Sequence, residues 1–449
     1  MNGSAVAATE ACLENIHKYN EAVNAVVTWD EDAALKRAAE VDRAAAEGRW
    51  LGLLHGMTMT LKDNIATAGM RTTSGAKFFA DHVPNEDADV VRRLRAAGAV
   101  LIGKANMQEL AFGVVTNNPV FGQCRNPWNT EHIPGGTSGG SGASVVAEMC
   151  RGSLGTDTGG SVRIPAAMTG IAGLRPTHGR ISIRGVTPAS VGNDTIGPMA
   201  REVTDVARLF VALSGYDPED PVSADVALEN FLPRLTDGIQ GIRIGIARHF
   251  HFQCLHPEVE QKVLDTIPVF ERLGAEIREI TLPGAELAQD WNIKQIYGDI
   301  CHHFRDRLNN EPGSFSPRVL ARIKLGLDFS AVDYAEAMRG KEVWRRTLKR
   351  VFQDEVDIIL APTVPMPPPA ITGEENLHEA TRDAARFTYG SALSSHPGLS
   401  VPCGFTSDGL PIGVMLEAKW WNEALLFRAG VAYQSMTDWH RRRPALLTK

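Results

Sequence analysis

Apolar and polar positions alternate along the chain in two rhythms that predict α/β layering. DEDAALKRAAEVDRAAAEG (residues 30–48) opens on acidic residues and ends on glycine. That is the charge and cap order of a helix, and the first fifty residues read as helical throughout. GLLHGMTMTLKDNIATAG (52–69) is apolar and β-branched, predicting a strand that runs into a polar turn at Asp63-Asn64. In DADVVRRLRAAG (87–98), Val90, Val91, Leu94 and Ala97 share one helical face, and Gly98 stops the helix. AVLIGK (99–104) reads as a short buried strand. The succession of helix, glycine and strand predicts helices packed on a largely buried sheet.

Later segments repeat the pattern. GIRIGIARHFHF (241–252) reads as a strand entering a loop, and EVDIILAPTVPMPPPA (355–370) as a buried strand ended by prolines. LSVPCGF and LPIGVMLEA predict a strand pair joined by a turn at Asp408-Gly409. Residues 132–180 break the rhythm with IPGGTSGGSGAS and LGTDTGGSVRIPAAMTG, between which only SVVAEMC (144–150) looks helical. Glycine at such density lets backbone N–H groups approach a ligand or a reacting atom. No internal repeat or low-complexity linker interrupts the chain, and MPPPA (366–370) reads as a stiff loop.

Composition narrows the classes. The chain has 449 residues, 43% apolar and 22% charged, enough to bury a large core. A formal charge of −7 gives no footprint for nucleic acid or an anionic membrane. No uninterrupted apolar run is long enough to span a bilayer, and the N-terminus lacks the pattern of a secretory signal. Six scattered cysteines, never in CxxC, fit reduced thiols and a cytoplasmic protein.

Several chemistries compete for the glycine-rich region. A phosphate loop fails because GxxxxGK[ST] is absent. Gly136-Thr137-Ser138-Gly139-Gly140 fits the G-x-S-x-G elbow, but CRNPWNTEHIP before it is a poor strand. RHFHFQCLH (248–256) offers three histidines and a cysteine, yet its spacing matches no zinc pattern. A serine nucleophile needs a base, and no histidine lies inside either glycine-serine segment. Lys62 sits in an apolar run, where burial would lower its pKa and make it a base near neutral pH. Alone, such a lysine reads first as one snorkelling from a strand end.

The motifs together resemble the amidase signature family of Ser-Ser-Lys amidases. Gly135-Gly136-Thr137-Ser138-Gly139-Gly140 and the run from Gly155 to Pro165 are similar to the family signature, and Leu61-Lys62-Asp63-Asn64 to its lysine segment. GLRPTHGRIS, DTIGPMARE and LSVPCGFTSDGLPIGV resemble further blocks, so the likeness runs from about residue 15 to about 430. The resemblance implies an α/β amidase-signature fold with a mixed twisted sheet flanked by helices. It implies one amidase domain over 1–449, with its signature core at about 55–215. It implies an acyl-enzyme on Ser161, Lys62 as base, and an oxyanion hole of N–H groups from Thr158, Gly159, Gly160 and Ser161. No metal or cofactor is implied.

The family's bridging serine, which follows a cis peptide bond, falls on Thr137 here, with Ser138 as the neighbouring alternative. Arg163 and Asp157 are read as a supporting ion pair rather than as substrate contacts. The implied reaction cleaves the C–N bond of a small linear amide, or a urea- or hydrazide-like substrate, to acid and amine. A homodimer is compatible with the sequence. Two alternatives stand beside this reading: the A subunit of the tRNA-dependent glutamine amidotransferase, and a catalytically silent binding protein. The amidotransferase component carries glutamine where Ile164 stands and tyrosine where His178 stands, which favours a free-standing amidase. The silent scaffold would not need Lys62, Ser161 and the glycine frame together. Near the end of the chain, Ala392-Leu393-Ser394-Ser395-His396-Pro397 departs from the family's N-L-x-G-x-P and implies a distinct pocket.

Overall fold

The computed structural model describes residues 3–373 and 376–448. Its strands, numbered in chain order, are β1 Val26–Trp29, β2 Thr58–Lys62, β3 Val100–Ala105, β4 Asn117–Asn118, β5 Gly122–Gln123, β6 Gly152–Asp157 and β7 Ala172–Arg175. They continue with β8 Thr195–Ala200, β9 Arg243–Ile246, β10 Glu276–Glu279, β11 Ile358–Pro362, β12 Gly398–Phe405 and β13 Pro411–Ala418. Eleven of them form one mixed sheet in the order β1-β3-β2-β6-β8-β7-β12-β13-β11-β9-β10, and β4 and β5 form a separate two-stranded pair. The predicted mixed sheet flanked by helices is what the structure contains.

Strands β2, β3, β6 and β8 are buried at every position, because helices cover both faces of the sheet. On one side, helices Val203–Leu213 and Glu423–Ser435 pack Phe210 and Phe427 into the main core. A second cluster gathers Phe112, Ile164, Met168, Ile296, Tyr297 and Tyr389. Each fully buried side chain of this size contributes roughly 1.5–3 kcal/mol.

Most predicted elements are present. The acidic-to-glycine pattern is the helix Glu31–Ala46, capped by the Asp30 side chain accepting from Ala33 N. The predicted helix of residues 87–98 spans Asp89–Ala96. The late pair is antiparallel, and Gly409 at φ +85° makes its turn.

Three places differ. The first fifty residues are not all helical: Asn24, at φ 53°, ends the first helix, and Val26–Trp29 joins the sheet edge beside β3. Four residues are too few to show a period of two, so the strand was hidden between two helices. The residues after β9 form a one-turn helix, Arg248–His251, rather than a loop. The helix expected in SVVAEMC instead spans Gly139–Val146, so its first turn is glycine-rich. Close packing there overrides helix propensity: a Cβ on Gly140 would lie 2.4 Å from the Asn106 backbone, and one on Gly142 2.6 Å from Thr169 Oγ1.

Candidate active site

β2 runs parallel to both β3 and β6, so the carboxyl ends of these strands lie together. In open α/β sheets that edge is where reacting groups gather. Lys62 is the last residue of β2, and β6 ends at Asp157, directly before the loop that carries Ser161.

The Lys62 side chain is fully buried. Its Nζ donates to Thr137 Oγ1, to Thr156 Oγ1 at 2.8 Å and to Thr156 O at 3.4 Å. Among the described residues no carboxylate lies within 4 Å of it. Burial pulls its pKa down from 10.5 to about 7, against the more distant pull of Asp157 and Asp194. A lysine in this state is available as a base near neutral pH.

The Gly136–Thr137 peptide is cis, the feature that the family resemblance implied at the bridging residue. Thr137 and Ser161 both line one narrow pocket, so Thr137 stands with Lys62 on one side and the pocket on the other. Ser138 does not line that pocket. It is fully buried, and its Oγ accepts from Thr156 N and donates to Thr156 O, both at 3.3 Å. Its backbone N–H donates to Ser161 O at 3.2 Å. Ser138 therefore clamps the two glycine-serine segments together, while the Thr137 hydroxyl lies between Lys62 and the pocket.

Ser161 is partly exposed in an otherwise buried stretch. The loop before it is shaped by Asp157, whose carboxylate accepts from Gly160 N at 2.8 Å and Val162 N at 3.3 Å. Arg163 grips the same carboxylate through Nε and Nη2, both at 3.0 Å, and Arg175 Nη1 adds a third contact at 3.0 Å. Burial pushes the Asp157 carboxyl up, but the two guanidiniums outweigh it and hold it well below the usual carboxylate range. Arg163 is thus an internal ion-pair partner of Asp157, as read from the sequence.

The expected oxyanion set needs one correction. The Gly160 N–H is already committed to Asp157, whereas those of Thr158, Gly159 and Ser161 carry no such bond. Gly160 matters for its shape: its φ is +130°, and a Cβ there would lie 2.2 Å from Thr388 Oγ1. Thr388 Oγ1 in turn donates to Gly159 O at 2.7 Å, and a Cβ on Gly159 would strike the Tyr389 ring.

Sequence reasoning missed several residues around this frame. Asp194 accepts from Thr158 Oγ1 at 2.5 Å and from Ala189 N and Ser190 N, tying the Ser161 loop to the segment that precedes β8. The rest of the pocket is lined mainly by Phe112, Val114, Ile164, Ile296, Ala385 and Tyr389, with Thr158 and Thr381 and one cation, Arg322. Arg322 is 4% exposed, donates through Nε to Tyr297 OH at 2.7 Å and lies 3.8 Å over the Phe112 ring. Its Nη1 has no hydrogen-bond partner, and no described carboxylate lies within 4 Å of it. Nothing local in the chain marks Thr388, Tyr389 or Arg322, because folding alone brings them to the loop. Of the two positions weighed against the amidotransferase reading, Ile164 lines the pocket, whereas His178 is bonded to Val191 O outside it.

The histidine cluster does not converge. His249 Nε2 accepts from Leu282 N, His251 is buried and Cys254 is exposed; among the described residues no three potential ligands are grouped for a metal. A cavity of about 750 Å3 lies at the opposite end of the strands, around Thr58 and Arg151, and touches none of these residues. No helix among the described residues is long and apolar enough to cross a membrane.

A buried lysine, a threonine hydroxyl bonded to it and a serine on a glycine loop meet at the strand ends, and the family and relatives that match this chain make it a hydrolase acting on C–N bonds other than peptide bonds. The chain belongs to the amidase family, the amidase signature enzymes, whose family model matches residues 7–427. It is 40% identical over 467 residues to the A subunit of the glutamyl-tRNA(Gln) amidotransferase of Roseiflexus sp. (strain RS-1), covering 99% of this chain and 95% of that one. Among solved structures it superposes with a TM-score of 0.91, at 33% identity and 97% and 95% coverage, on a vestigial protein complex that reveals the evolutionary origins of an s-triazine catabolic enzyme. It superposes with a TM-score of 0.90, at 26% identity and 99% and 96% coverage, on 6-aminohexanoate cyclic dimer hydrolase complexed with substrate.

Proposed function

We propose that the chain, acting as one amidase unit, hydrolyses the C–N bond of a small amide whose acyl half ends in a carboxylate, through an acyl-enzyme on Ser161. The observation that carries this reading is the fully buried Lys62, with no described carboxylate beside it, bonded to the Thr137 hydroxyl that lines the pocket with Ser161. Ser161 Oγ attacks the carbonyl carbon while its proton passes to Thr137 and the Thr137 proton passes to neutral Lys62. The N–H groups of Thr158, Gly159 and Ser161 receive the developing oxyanion, a contribution of about 3–4 kcal/mol for a key donor. Collapse breaks the C–N bond as the proton returns through Thr137 to the leaving nitrogen. Water, deprotonated along the same path, then releases the acid and restores Ser161.

Arg322 supplies the substrate class. A buried guanidinium with an unpartnered Nη1, in a pocket with no described carboxylate, suits a carboxylate, which would accept a charge-assisted hydrogen bond there. Two substrates fit. The names of the relatives support the amidotransferase alternative over the free-standing amidase suggested by Ile164 and His178, which makes glutamine the first candidate and a partner protein the expected context. The free-standing reading draws its support from the lining, which among the described residues offers no carboxylate to an α-ammonium group.

The test is steady-state turnover of glutamine, of its analogue lacking the amino group, and of the corresponding uncharged amide, by wild type and Ser161→Ala. Turnover of either acid, abolished in Ser161→Ala, supports the proposal, and the ratio between the two acids decides between the readings. Preference for the uncharged amide would remove Arg322 from substrate recognition.

A further inference from the structure

A second buried polar group lies behind the Ser161 loop, and the mechanism does not use it. Glu417, on β13, is 5% exposed, and its Oε1 has no hydrogen-bond partner. His396 Nε2 stands 3.5 Å from that oxygen and is likewise unpartnered, while its Nδ1 is bonded to Ser394 Oγ at 2.6 Å. His251 is 3% exposed, and its Nδ1 is a third unpartnered atom. Glu417 and His251 line one small cavity of about 10 Å3, together with Ser391 and Arg386. That is room for one water-sized particle.

This group is wired to the loop. Arg163 spends Nε and Nη2 on Asp157, and its third nitrogen, Nη1, donates to Ser391 Oγ at 2.5 Å. Ser391 lines the same cavity as Glu417, its hydroxyl donates to Thr388 O at 3.2 Å, and Arg163 and Glu417 meet across Gly398. Arg163 and Arg175 are two fully buried cations that share the single carboxylate of Asp157. Glu417 is a further buried carboxylate near this pair, besides Asp194. Burial pushes the Glu417 carboxyl up, but His396, Ser391 and His251 together hold it below its ordinary value, so it remains ionised. A buried ion pair is weak evidence for stability, because apolar residues of equal volume serve at least as well there.

We propose that Glu417, paired with His396, is a positioning residue for the Ser161 loop, acting through Ser391 and Arg163 on Asp157. Asp157 then fixes Gly160 N and Val162 N, and with them the backbone on either side of the nucleophile. The titratable and charged groups that face Glu417 are His396 beside it, His251 and Arg386 across the cavity, and Arg163 beyond Ser391. The inference rests on the proposed Ser161 chemistry.

The experiment compares kcat, KM and pH profiles of wild type, Glu417→Gln, His396→Gln, Ser391→Ala and the Glu417→Gln/Ser391→Ala double variant, with Ser161→Ala as control. Each single variant is expected to lose about ten-fold or more in kcat with KM within about two-fold, and the double variant to lose little more than either single one. In Glu417→Gln the removal of a negative charge moves the acid limb of the kcat profile to lower pH, which a purely structural defect would not do. Should Glu417→Gln fail to fold, Ser391→Ala carries the same test, because it cuts the link without touching the carboxylate. Unchanged kcat in a folded Ser391→Ala, or losses that multiply in the double variant, would overturn the proposal. Activity surviving in Ser161→Ala would instead overturn the chemistry on which it rests.

Discussion

Replacing Lys62 with methionine separates the charge of this side chain from its volume, and the consequence reaches both stability and catalysis. Burial takes the Lys62 pKa from 10.5 in the unfolded chain to about 7 in the fold. At about 1.4 kcal/mol per pH unit, the difference is about 5 kcal/mol, an upper bound for a fully buried group. The sign follows from proton counting. Between pH 7 and 10.5 the unfolded chain holds a proton that the folded chain has released, so stability rises with pH across this window. Below pH 7 the folded chain carries the buried charge at full cost. Lys62→Met has no such dependence. Lys104 and Lys341 are also depressed, each to about 8, so wild type and variant must be compared as a difference.

Urea unfolding at intervals from pH 6 to 10 should show wild type gaining on Lys62→Met with a slope approaching about 1.4 kcal/mol per pH unit just above pH 7. The same group should govern the acid limb of kcat/KM in wild type, so that limb is expected near pH 7. A stability difference flat from pH 6 to 10, or an acid limb above pH 9, would refute the neutral-lysine argument.

Thr137→Ala should lower kcat by about 10²–10⁴-fold while Thr137→Ser keeps most of it, and Ser138→Ala should keep the acid limb unmoved, since Ser138 only clamps Thr156; the check is the pH profile of each variant. Arg322→Met should raise KM for a carboxylate-bearing amide by about 10–150-fold, the equivalent of about 1.5–3 kcal/mol for a hydrogen bond to a charged group, without raising KM for the uncharged amide. Gly160→Ala should abolish turnover in a protein that still gives a folded circular dichroism spectrum, because the new Cβ would meet Thr388 Oγ1 at 2.2 Å. Exhaustive dialysis against a chelator should leave turnover unchanged; loss that zinc restores would return attention to His249, His251 and His256.

The layering of the fold was legible because helices of three to five turns and buried strands leave long periodic traces, as in residues 30–48 and 399–418. The strand Val26–Trp29 and the glycine-rich start of the helix at Gly139 were not, the first for want of length and the second because packing, not propensity, makes it helical. Lys62 was readable as a charge in an apolar run, and Ser161 and Thr137 as motif positions. Which hydroxyl faces the pocket was not readable, since Thr137 and Ser138 are adjacent and only the backbone turn between them points one toward Lys62. Asp194 and Thr388 bond to the Ser161 loop, and Arg322 reaches the pocket, only through the tertiary fold. The segments of Arg322 and Thr388 carry no motif, and although Asp194 opens the block DTIGPMARE, nothing in that block says which loop its carboxylate meets. Gly160 shows a related limit: its glycine was visible, but the bond from its N–H to Asp157 was not.

The central claim is an ester on Ser161. It is met most directly by intact-mass measurement of the protein quenched during turnover of a carboxylate-bearing amide, with hydroxylamine added to a parallel sample. The account predicts a wild-type adduct equal to the acyl half of the substrate, removed by hydroxylamine, absent in Ser161→Ala and slow to form in Lys62→Met. Turnover with no adduct under any quench, or an adduct that persists in Ser161→Ala, would contradict it.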